Sequence, residues 1–387
     1  MKHQEAVIVA AVRTPIGIGK PDRGKLTGIR PDELAAMTLA EVVRRAGIEK
    51  GLVEDVIMGC VTQIGEQGLN IGRVAPLIAD FPVETCGVSV NRMCGSSEQA
   101  IHFAAQAIIS GTIDVAIAAG VESMSRVPMG SDKAGASFSE KLIARYPLVP
   151  QGISAELVAE KWHITREEAD AFSLESHRRA AAATAEGRFK PEIMPIEVTL
   201  PDGSREVMIS DQGIRPNTSL EQLAALKTVF KPDGIITAGN SSQISDGAAA
   251  VLLMSDSKAQ ELGLKPLARI VAMATAGVDP VLMLSGPIPA TQKVLKKAGL
   301  RLADIDLVEI NEAFASVPLA WARELDPDMS RVNVNGGAIA LGHPLGASGA
   351  RLMTTLVHEL QRRGGRYGLQ TMCIGHGMAT ATIIERI

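Results

Sequence analysis

Aromatic residues are scarce in this chain: phenylalanine, tryptophan and tyrosine together make up 3% of its 387 residues. Large rings therefore cannot supply most of the packing. Glycine occurs 37 times, and hydrophobic residues overall make up 46%. Small residues let helices press closely onto buried sheets, so the composition predicts an α/β protein. At about 150 residues per domain, the length predicts two domains or slightly more.

The chain also lacks an excess of positive charge. It has 39 Lys and Arg against 43 Asp and Glu, a formal net charge of −4. Proteins that bind nucleic acid neutralise phosphates with clustered basic residues, and no basic block is present. Nucleic acid is therefore not an expected partner.

Long hydrophobic runs are missing as well. The longest apolar stretches are segments such as 115–121, far short of the about 18 to 20 residues that span a bilayer, so no membrane insertion is expected. The run 6–12 is too short for a secretion signal and is interpreted as a strand. The C-terminus, Glu385-Arg386-Ile387, is not a peroxisomal signal. These features favour a cytoplasmic, bacterial-type protein.

Cysteine occurs four times, without the CxxC spacing of a zinc site or the density of a disulfide scaffold. A reducing compartment fits this usage. We interpret Cys60 and Cys86 as small buried residues. Five histidines are interpreted as structural or solvated, and no metal-ligand spacing joins them: His3, His102, His163, His177 and His358.

The chain contains an internal repeat. Segment 42–48 (VVRRAGI) is matched by segment 294–300 (VLKKAGL), 252 residues later. At the same spacing, the small-residue turn 94–97 falls on 346–349, and each turn precedes a helix ending in glycine and then an apolar strand. The repeat predicts two similar α/β halves.

Residues 122–245 repeat nothing and are rich in proline, serine and charge. We interpret them as an inserted loop domain. The first half then comprises 1–121 and 246–267, and the second half comprises 268–387. Inside the insert, Thr165 and Glu168 have the spacing of a capping box, which predicts a helix running through Phe172 and Ala180.

Cys94 is a candidate nucleophile. It stands where the apolar strand 87–90 meets a helix, and a helix N-terminus lowers the pKa of a thiol by favouring the thiolate. The alternative is a small buried cysteine that only fills space.

His343 lies in the glycine-rich stretch 336–346. The spacing of 252 pairs it with Asn91, three residues before Cys94, so pseudo-symmetry is expected to bring the two turns together between the halves. A solvent-exposed loop histidine is the alternative.

Two further segments end apolar strands with polar groups. Cys373 closes the last one, where Gly375 would let a backbone N–H approach a ligand. Asn311 follows the strand 307–310, at the sheet edge where α/β active sites lie. A core cysteine and a simple turn are the alternatives.

Together these segments resemble the thiolase family, the acyltransferases that cleave 3-ketoacyl-CoA or condense two acyl-CoAs. The resemblance covers essentially the whole chain. It rests on motifs in family order: Val7-Ile8-Val9 with Arg13-Thr14-Pro15, Asn91 to Ser97, Thr237-Ala238-Gly239-Asn240 with Ser245 to Ala249, Asn311-Glu312-Ala313-Phe314, Gly342-His343-Pro344, and Cys373-Ile374-Gly375. The implied fold is two duplicated halves packed as five layers, αβαβα, with an inserted loop domain.

The resemblance also implies roles. Cys94 would become acylated after giving its proton to His343, and Cys373 would protonate the acetyl-CoA enolate and later deprotonate CoA. Backbone N–H groups of Cys94 and Gly375 would bind one oxyanion. His343 and a water held by Asn311 would bind the other.

No permanently bound cofactor or metal is implied; coenzyme A is a co-substrate. For CoA and acyl-CoA, the resemblance points to Arg215 near the adenosine phosphates, Ser242 near the pantetheine and Phe230 packing on it. Ala313, Phe314 and Met283 complete the expected substrate-binding set.

Some positions depart from the family pattern. Ala379 stands where many relatives have glycine, His376 fills a variable position, and Leu284 adds bulk beside the site. Segment 226–230 differs from the common Leu-Arg-Pro-x-Phe. Segment 149–152 replaces the His-Met-Gly of short-chain biosynthetic thiolases, which argues against a dedicated acetoacetyl-CoA synthase.

The leading hypothesis is a degradative 3-ketoacyl-CoA thiolase of fatty-acid β-oxidation. The closest rival is an acetoacetyl-CoA thiolase working in the condensation direction. A decarboxylating ketoacyl synthase would have histidine in place of Asn311. A non-catalytic CoA-binding subunit and a cysteine hydrolase also stay open. Relatives imply a homodimer or homotetramer, with segment 124–146 where a tetramer-forming loop would be, and a β-oxidation partner subunit.

Overall fold

The structure is a computed structural model that describes residues 4–200 and 202–387. His3 lies outside the described residues. The strands are β1 (Ala6–Arg13), β2 (Gly17–Ile18), β3 (Asp55–Gly59), β4 (Cys86–Val90), β5 (Val115–Ser123), β6 (Ile196–Thr199), β7 (Arg205–Met208), β8 (Ser245–Ser255), β9 (Ala268–Gly277), β10 (Leu307–Ile310), β11 (Tyr367–Ile374) and β12 (Met378–Arg386). The helices are α1 (Pro31–Ala46), α2 (Ile71–Ile78), α3 (Ser96–Ile109), α4 (Glu140–Arg145), α5 (Gln151–Lys161), α6 (Arg166–Ala185), α7 (Leu220–Ala224), α8 (Asp256–Glu261), α9 (Pro287–Ala298), α10 (Ser316–Leu325), α11 (Ala338–Leu341) and α12 (Ser348–Arg363).

The long strands form a mixed sheet in the order β10-β11-β12-β9-β1-β8-β5-β3-β4. The first half of the chain supplies one end and the second half the other. The two ends join through only two residue pairs between β1 and β9, Val7 with Arg269 and Ile8 with Ala268. The repeat predicts the two halves, but it does not predict that they share one hydrogen-bonded sheet.

Three apolar clusters show the layers. Leu39 of α1 and Ile71 of α2 pack against β5 on one outer face. Helices α3 and α12 lie between the two parts of the sheet, where Ile101 and Leu356 share a cluster. Helices α9 and α10 cover the far face, with Trp321 fully buried. The layers therefore run α, β, α, β, α, which confirms the expected fold.

The repeat is visible in the element bounds. Helix α3 begins at Ser96 and α12 at Ser348, while β5 begins at Val115 and β11 at Tyr367. Equivalent glycines also end α1 and α9: Gly47 and Gly299 have φ of 69° and 67°, a left-handed conformation that favours glycine. The exact limits of the two halves and the insert stay a prediction.

The insert carries α4 to α7 and the β6–β7 hairpin. Its predicted capping box is confirmed, because Glu168 N donates to Thr165 Oγ1 at 3.2 Å and Thr165 N donates to the Glu168 carboxylate at 2.8 Å. The helix that follows continues to Ala185.

Two cysteine predictions have different outcomes. Cys60 is buried, as predicted, but Cys86 is exposed. It begins β4, which among the described residues pairs only with β3 and is an edge strand that leaves Val88 45% exposed. An apolar strand at a sheet edge need not be buried, so the prediction for Cys86 was wrong.

The remaining histidine predictions are confirmed within the described residues. His102 Nε2 bonds Thr382, His177 Nδ1 accepts from Arg215 N, and His358 bonds a β1 carbonyl. His163 is exposed. Among residues 4–200 and 202–387, no helix is both long and apolar enough to cross a membrane.

A buried ion cluster fastens the insert to β1. The Arg13 guanidinium donates to Glu192 at 2.6 Å and to both oxygens of Asp211 at 2.7 and 3.0 Å. Arg13 is fully buried. The cluster matters for stability because breaking it leaves two buried carboxylates without their cation.

We expect Arg13→Ala to lower the free energy of unfolding by about 3–5 kcal/mol, the loss typical of a broken buried ion pair. Urea denaturation followed by circular dichroism measures it. Arg44→Ala is the control, since Arg44 pairs with Glu41 on the exposed surface and its removal should change little. Equal losses of unfolding free energy in the two variants would contradict a stabilising role for the buried cluster.

Candidate active site

The two repeated turns meet at the centre of the molecule because small residues let their backbones approach. A Cβ atom on Gly120 would lie 2.2 Å from the carbonyl oxygen of Gly346, and one on Gly59 would lie 2.4 Å from Ser97 N. Ala350 N donates to Ser97 Oγ at 2.9 Å across the contact. The turn after Cys94 is thereby held against the turn after His343.

Two cavities open on either side of Cys94. The Met283 cavity, of about 400 Å³, is lined by Met93, Met129, Phe138, Leu148, Met283 and His376 among others. The Phe230 cavity, of about 410 Å³, is lined by Phe230, Ser242, Gln243, Ala313, Phe314 and His343 among others. Cys94 and Gln151 line both cavities. The cysteine is therefore reachable from two directions.

Cys94 is 4% exposed and lies immediately before the residue that caps α3, as predicted. Burial raises the pKa of its thiol to about 11, although hydrogen bonds from the Gln151 side chain and from the backbone N–H groups of Gly375 and Cys94 itself oppose that rise. The expected lowering by the helix terminus was wrong, because desolvation of a buried thiolate outweighs it. A base must therefore take the thiol proton.

His343 lines the Phe230 cavity together with Cys94. Burial lowers its pKa to about 3, so the imidazole is neutral. Its Nδ1 lies 2.5 Å from Ser348 Oγ, and that hydroxyl donates to Pro344 O at 2.9 Å. Ser348 therefore accepts from Nδ1–H, so Nε2 carries no proton and presents its lone pair as an acceptor.

Asn311 faces the unprotonated ring nitrogen of His343, Nε2. Its Nδ2 lies 3.3 Å from His343 Nε2, and both side chains are buried. Asn311 Oδ1 is also buried, and no described residue donates a hydrogen bond to it. The amide can therefore donate to the imidazole and accept from a small polar molecule at once.

Cys373 lies at the end of β11, fully buried. Burial and the nearby Cys94 raise the pKa of its thiol. The β11–β12 hairpin that carries it is held against α3 by Glu98, whose carboxylate accepts from Thr380 and Thr382 at 2.7 Å each. Burial raises the pKa of Glu98 to about 7.

Two more buried carboxylates position the loops. Glu122 accepts from Val61 N, Thr62 N and Gly346 N at 2.8–3.1 Å. Glu312, next to Asn311, accepts from Asn333, Ser176 and Ile339 N. Burial raises the pKa of the Glu122 and Glu312 carboxyl groups above the usual value, and these hydrogen bonds oppose part of that rise. Such carboxylates tie backbone from both halves into one rigid site.

The structure brings together most of the expected substrate-binding set. Phe230 and Phe314 pack edge to face with centroids 6.0 Å apart, and Ser242 N donates to Ala313 O at 2.9 Å. Met283 instead lines the other cavity, as does Gly375. Arg215 is exposed and lines neither cavity.

Sequence reasoning missed Ser348 and Gln151. Ser348 is the equivalent of Ser96 at the repeat spacing, and each serine is the first residue of its helix. The repeat could therefore have singled out Ser348. Gln151 entered the sequence analysis only as part of segment 149–152, which departs from the family pattern. Nothing in a sequence shows that a side chain 57 positions away will line the same two cavities as Cys94.

A buried thiol that lines two cavities, with a neutral imidazole and a second thiol nearby, is typical of an enzyme that transfers an acyl group through cysteine. Comparison of the chain with models of known protein families leads to the same class of enzyme. The model of the thiolase N-terminal domain matches residues 6–257, and that of the thiolase C-terminal domain matches residues 264–386. The chain therefore belongs to the thiolase family and is an acyltransferase.

Relatives match over their full length. A 3-ketoacyl-CoA thiolase of Bacillus subtilis is 47% identical, covering 99% of both chains. A steroid 3-ketoacyl-CoA thiolase, FadA6, of Mycobacterium tuberculosis is 49% identical over 99% of this chain and 94% of its own. Human mitochondrial 3-ketoacyl-CoA thiolase in complex with CoA is 41% identical, with a TM-score of 0.90 over 99% of this chain and 98% of its own.

We expect Ser348→Ala to slow alkylation of Cys94 by iodoacetamide at neutral pH about tenfold, since one hydrogen bond of roughly 1–1.5 kcal/mol no longer orients His343. Peptide mass spectrometry resolves each cysteine, and the exposed Cys86 serves as internal control. Ser348→Thr keeps the hydroxyl and should retain the rate. An unchanged rate in Ser348→Ala would show that the hydroxyl does not orient the base.

Proposed function

We propose that this thiolase acts in the degradative direction, cleaving 3-ketoacyl-CoA with CoA to give acetyl-CoA and a shortened acyl-CoA, as in fatty-acid β-oxidation. The observation that carries the proposal is the position of Cys94, which lines both cavities, with His343 beside it in the Phe230 cavity. Asn311 lies 3.3 Å from His343, and Cys94 is close enough to Cys373 to raise the pKa of the Cys373 thiol. A thiolytic cleavage needs room for an acyl chain on one side of the nucleophile and for CoA on the other.

In the first half-reaction, His343 Nε2 takes the proton of the Cys94 thiol. The thiolate attacks the 3-keto carbon, and the bond between C2 and C3 breaks. This leaves an acyl group on Cys94 and the enolate of acetyl-CoA. Cys373 gives its proton to C2 of the enolate, and acetyl-CoA departs. The raised pKa of Cys373 suits a group that must hold its proton until the enolate forms.

In the second half-reaction, the Cys373 thiolate takes the proton of an incoming CoA thiol. The CoA thiolate attacks the acyl group, the bond to Cys94 breaks, and the proton held by His343 returns to Cys94. Cys94, His343 and Cys373 all end in their starting protonation states. The neutral imidazole of the resting site fits this exchange, because it must begin unprotonated.

Developing negative charge needs hydrogen-bond donors. Backbone N–H groups of Cys94 and Gly375 point at the nucleophile and would bind the oxyanion of the acyl intermediate. His343 and a water held by the unpartnered Oδ1 of Asn311 would bind the enolate oxygen. Each donor is expected to be worth roughly 10²-fold or more in rate.

The Phe230 cavity is the proposed pantetheine channel. Phe230 and Phe314 give it apolar walls, and Ser242 supplies a hydroxyl. Arg215 lies outside the channel on the exposed surface, a position open to the adenosine phosphates. CoA is a substrate in this scheme.

The Met283 cavity is the proposed acyl site. Its volume of about 400 Å³ lies in the range of cavities that bury whole ligands, far more than an acetyl group fills. Its three methionines adapt to chains of different shape. This favours cleavage of medium-to-long 3-ketoacyl-CoA over the rival synthesis of acetoacetyl-CoA.

The assembly is proposed to be a homodimer or homotetramer. The edge strand β4 leaves Val88 exposed, and α4 exposes Leu142 and Ile143. Exposed apolar groups on an unpaired strand are typical of an interface. A β-oxidation partner subunit is part of the same proposal.

Four free cysteines support a reducing compartment such as the cytoplasm.

A thiolysis assay tests the function. Purified protein is mixed with CoA and 3-ketoacyl-CoAs of increasing chain length from acetoacetyl-CoA upward, and loss of the enolate absorbance is followed. We expect activity to rise with chain length and to vanish in Cys94→Ala. Activity confined to acetoacetyl-CoA would favour the condensing rival. No CoA-dependent cleavage by folded protein would overturn the proposal.

Cys373→Ala should separate the two half-reactions. Attack by Cys94 does not need Cys373, whereas protonation of the enolate does, so turnover should fall by about 10²-fold or more while Cys94 alkylation by iodoacetamide persists. Cys60→Ala is the control, since Cys60 is also a buried thiol and lines neither cavity. Wild-type turnover in Cys373→Ala would exclude it as the second proton carrier.

A further inference from the structure

The backbone immediately before Cys94 has an unfavourable conformation. Met93 has φ of 45°, in the left-handed region that residues other than glycine, asparagine and aspartate rarely adopt. It lies between the end of β4 and the start of α3, and its side chain lines the Met283 cavity. A strained backbone persists only where the surrounding contacts hold it in place, and such strain is typical of functional sites.

Two flanking side chains hold the turn around Met93. Asn91 Oδ1 accepts a hydrogen bond from Met93 N at 2.8 Å, and Asn91 Nδ2 donates to Val61 O at 3.0 Å. Ser96 Oγ accepts from Arg92 N at 2.9 Å and donates to Met93 O at 2.6 Å. The N–H and the carbonyl of Met93 are therefore each bonded to a neighbouring side chain.

Backbone hydrogen bonds close the same turn. Gly95 N donates to Arg92 O at 3.1 Å, and Ser96 N donates to Met93 O at 3.0 Å. Cys94 lies within both of these turns and directly follows Met93. A return of Met93 to a negative φ would therefore turn the Cys94 side chain away from the two cavities that it lines.

We propose that Asn91 and Ser96 are positioning residues for the nucleophile: they hold Met93 in its left-handed conformation and thereby keep the Cys94 thiol in place. The proposal rests on the proposed function of Cys94. Neither Asn91 nor Ser96 lines the Met283 cavity or the Phe230 cavity, so both act through the backbone of the turn.

The strain at Met93 can be relieved by mutation. Glycine adopts left-handed φ values about as readily as right-handed ones, so Met93→Gly removes the penalty that the side-chain bonds offset. Met93→Ala also shortens the side chain but keeps the Cβ atom that disfavours this conformation. Loss of Asn91 or Ser96 should therefore matter less when residue 93 is glycine. Hydrogen bonds that act independently of this strain would give the same loss in every background.

The test combines each loss with each residue at position 93. Asn91→Ala and Ser96→Ala are made in the wild type, in Met93→Gly and in Met93→Ala. Ser110→Ala is the matched control, because Ser110 Oγ donates to the carbonyl three residues earlier, as Ser96 Oγ does, but at the far end of α3. Peptide mass spectrometry gives the rate of Cys94 alkylation by iodoacetamide at neutral pH. Thiolysis gives kcat and KM, and circular dichroism checks folding.

We expect Asn91→Ala and Ser96→Ala each to lower kcat and the Cys94 alkylation rate about tenfold, the effect of one lost hydrogen bond, without a matching change in KM. In Met93→Gly the same losses should be about twofold or less, whereas in Met93→Ala they should again be about tenfold. Ser110→Ala should match the wild type.

Equal losses in all three backgrounds, wild-type rates in both single variants, or loss of folded structure in Asn91→Ala or Ser96→Ala would overturn the proposal. Rescue of Cys94 alkylation by Met93→Gly in a protein that cleaves no 3-ketoacyl-CoA would retain the positioning role and refute the proposed function instead.

Discussion

The close approach of the two central helices is the constraint on which the rest of the structure depends. A Cβ atom on Gly349 would lie 2.2 Å from Glu98 N, so α12 can meet α3 at this point only without a side chain. That contact places the turn of Cys94 against the turn of His343, although the two residues are separated by most of the chain. Small residues at this contact let the two halves approach, because large side chains would hold them apart.

Burial then sets the protonation state of the site. It raises the pKa of the Cys94 and Cys373 thiols and lowers that of His343, so all three groups are uncharged at rest. A neutral site suits two half-reactions in which a proton is passed on and later returned. The carboxylates of Glu122 and Glu312 lie close by, and each is fully occupied with loop N–H, amide or hydroxyl donors, so they hold loops without serving as competing bases.

Sequence reasoning succeeded where a pattern was local or repeated. The spacing of 252 residues predicted equivalent helices and strands, and α3 and α12 begin at that spacing, at Ser96 and Ser348. It failed where the outcome depends on packing. Nothing local distinguishes Cys86 from a core cysteine, because its exposure depends on β4 being an edge strand. The pKa of Cys94 depends on burial and on groups distant in sequence, such as Gly375 in the turn after β11 and Gln151 of α5. The place of Gln151 on the same two cavities as Cys94 depends on the path of the insert, which no periodicity encodes.

The most direct measurement is to trap the covalent intermediate. Protein is incubated with a 3-ketoacyl-CoA in the absence of free CoA, quenched with acid, and its mass and peptides are determined. The account predicts one acyl group per chain, two carbons shorter than the substrate's acyl chain and located on Cys94, which added CoA removes. An acyl group on Cys373, or no covalent adduct in a protein that still cleaves the substrate, would contradict it.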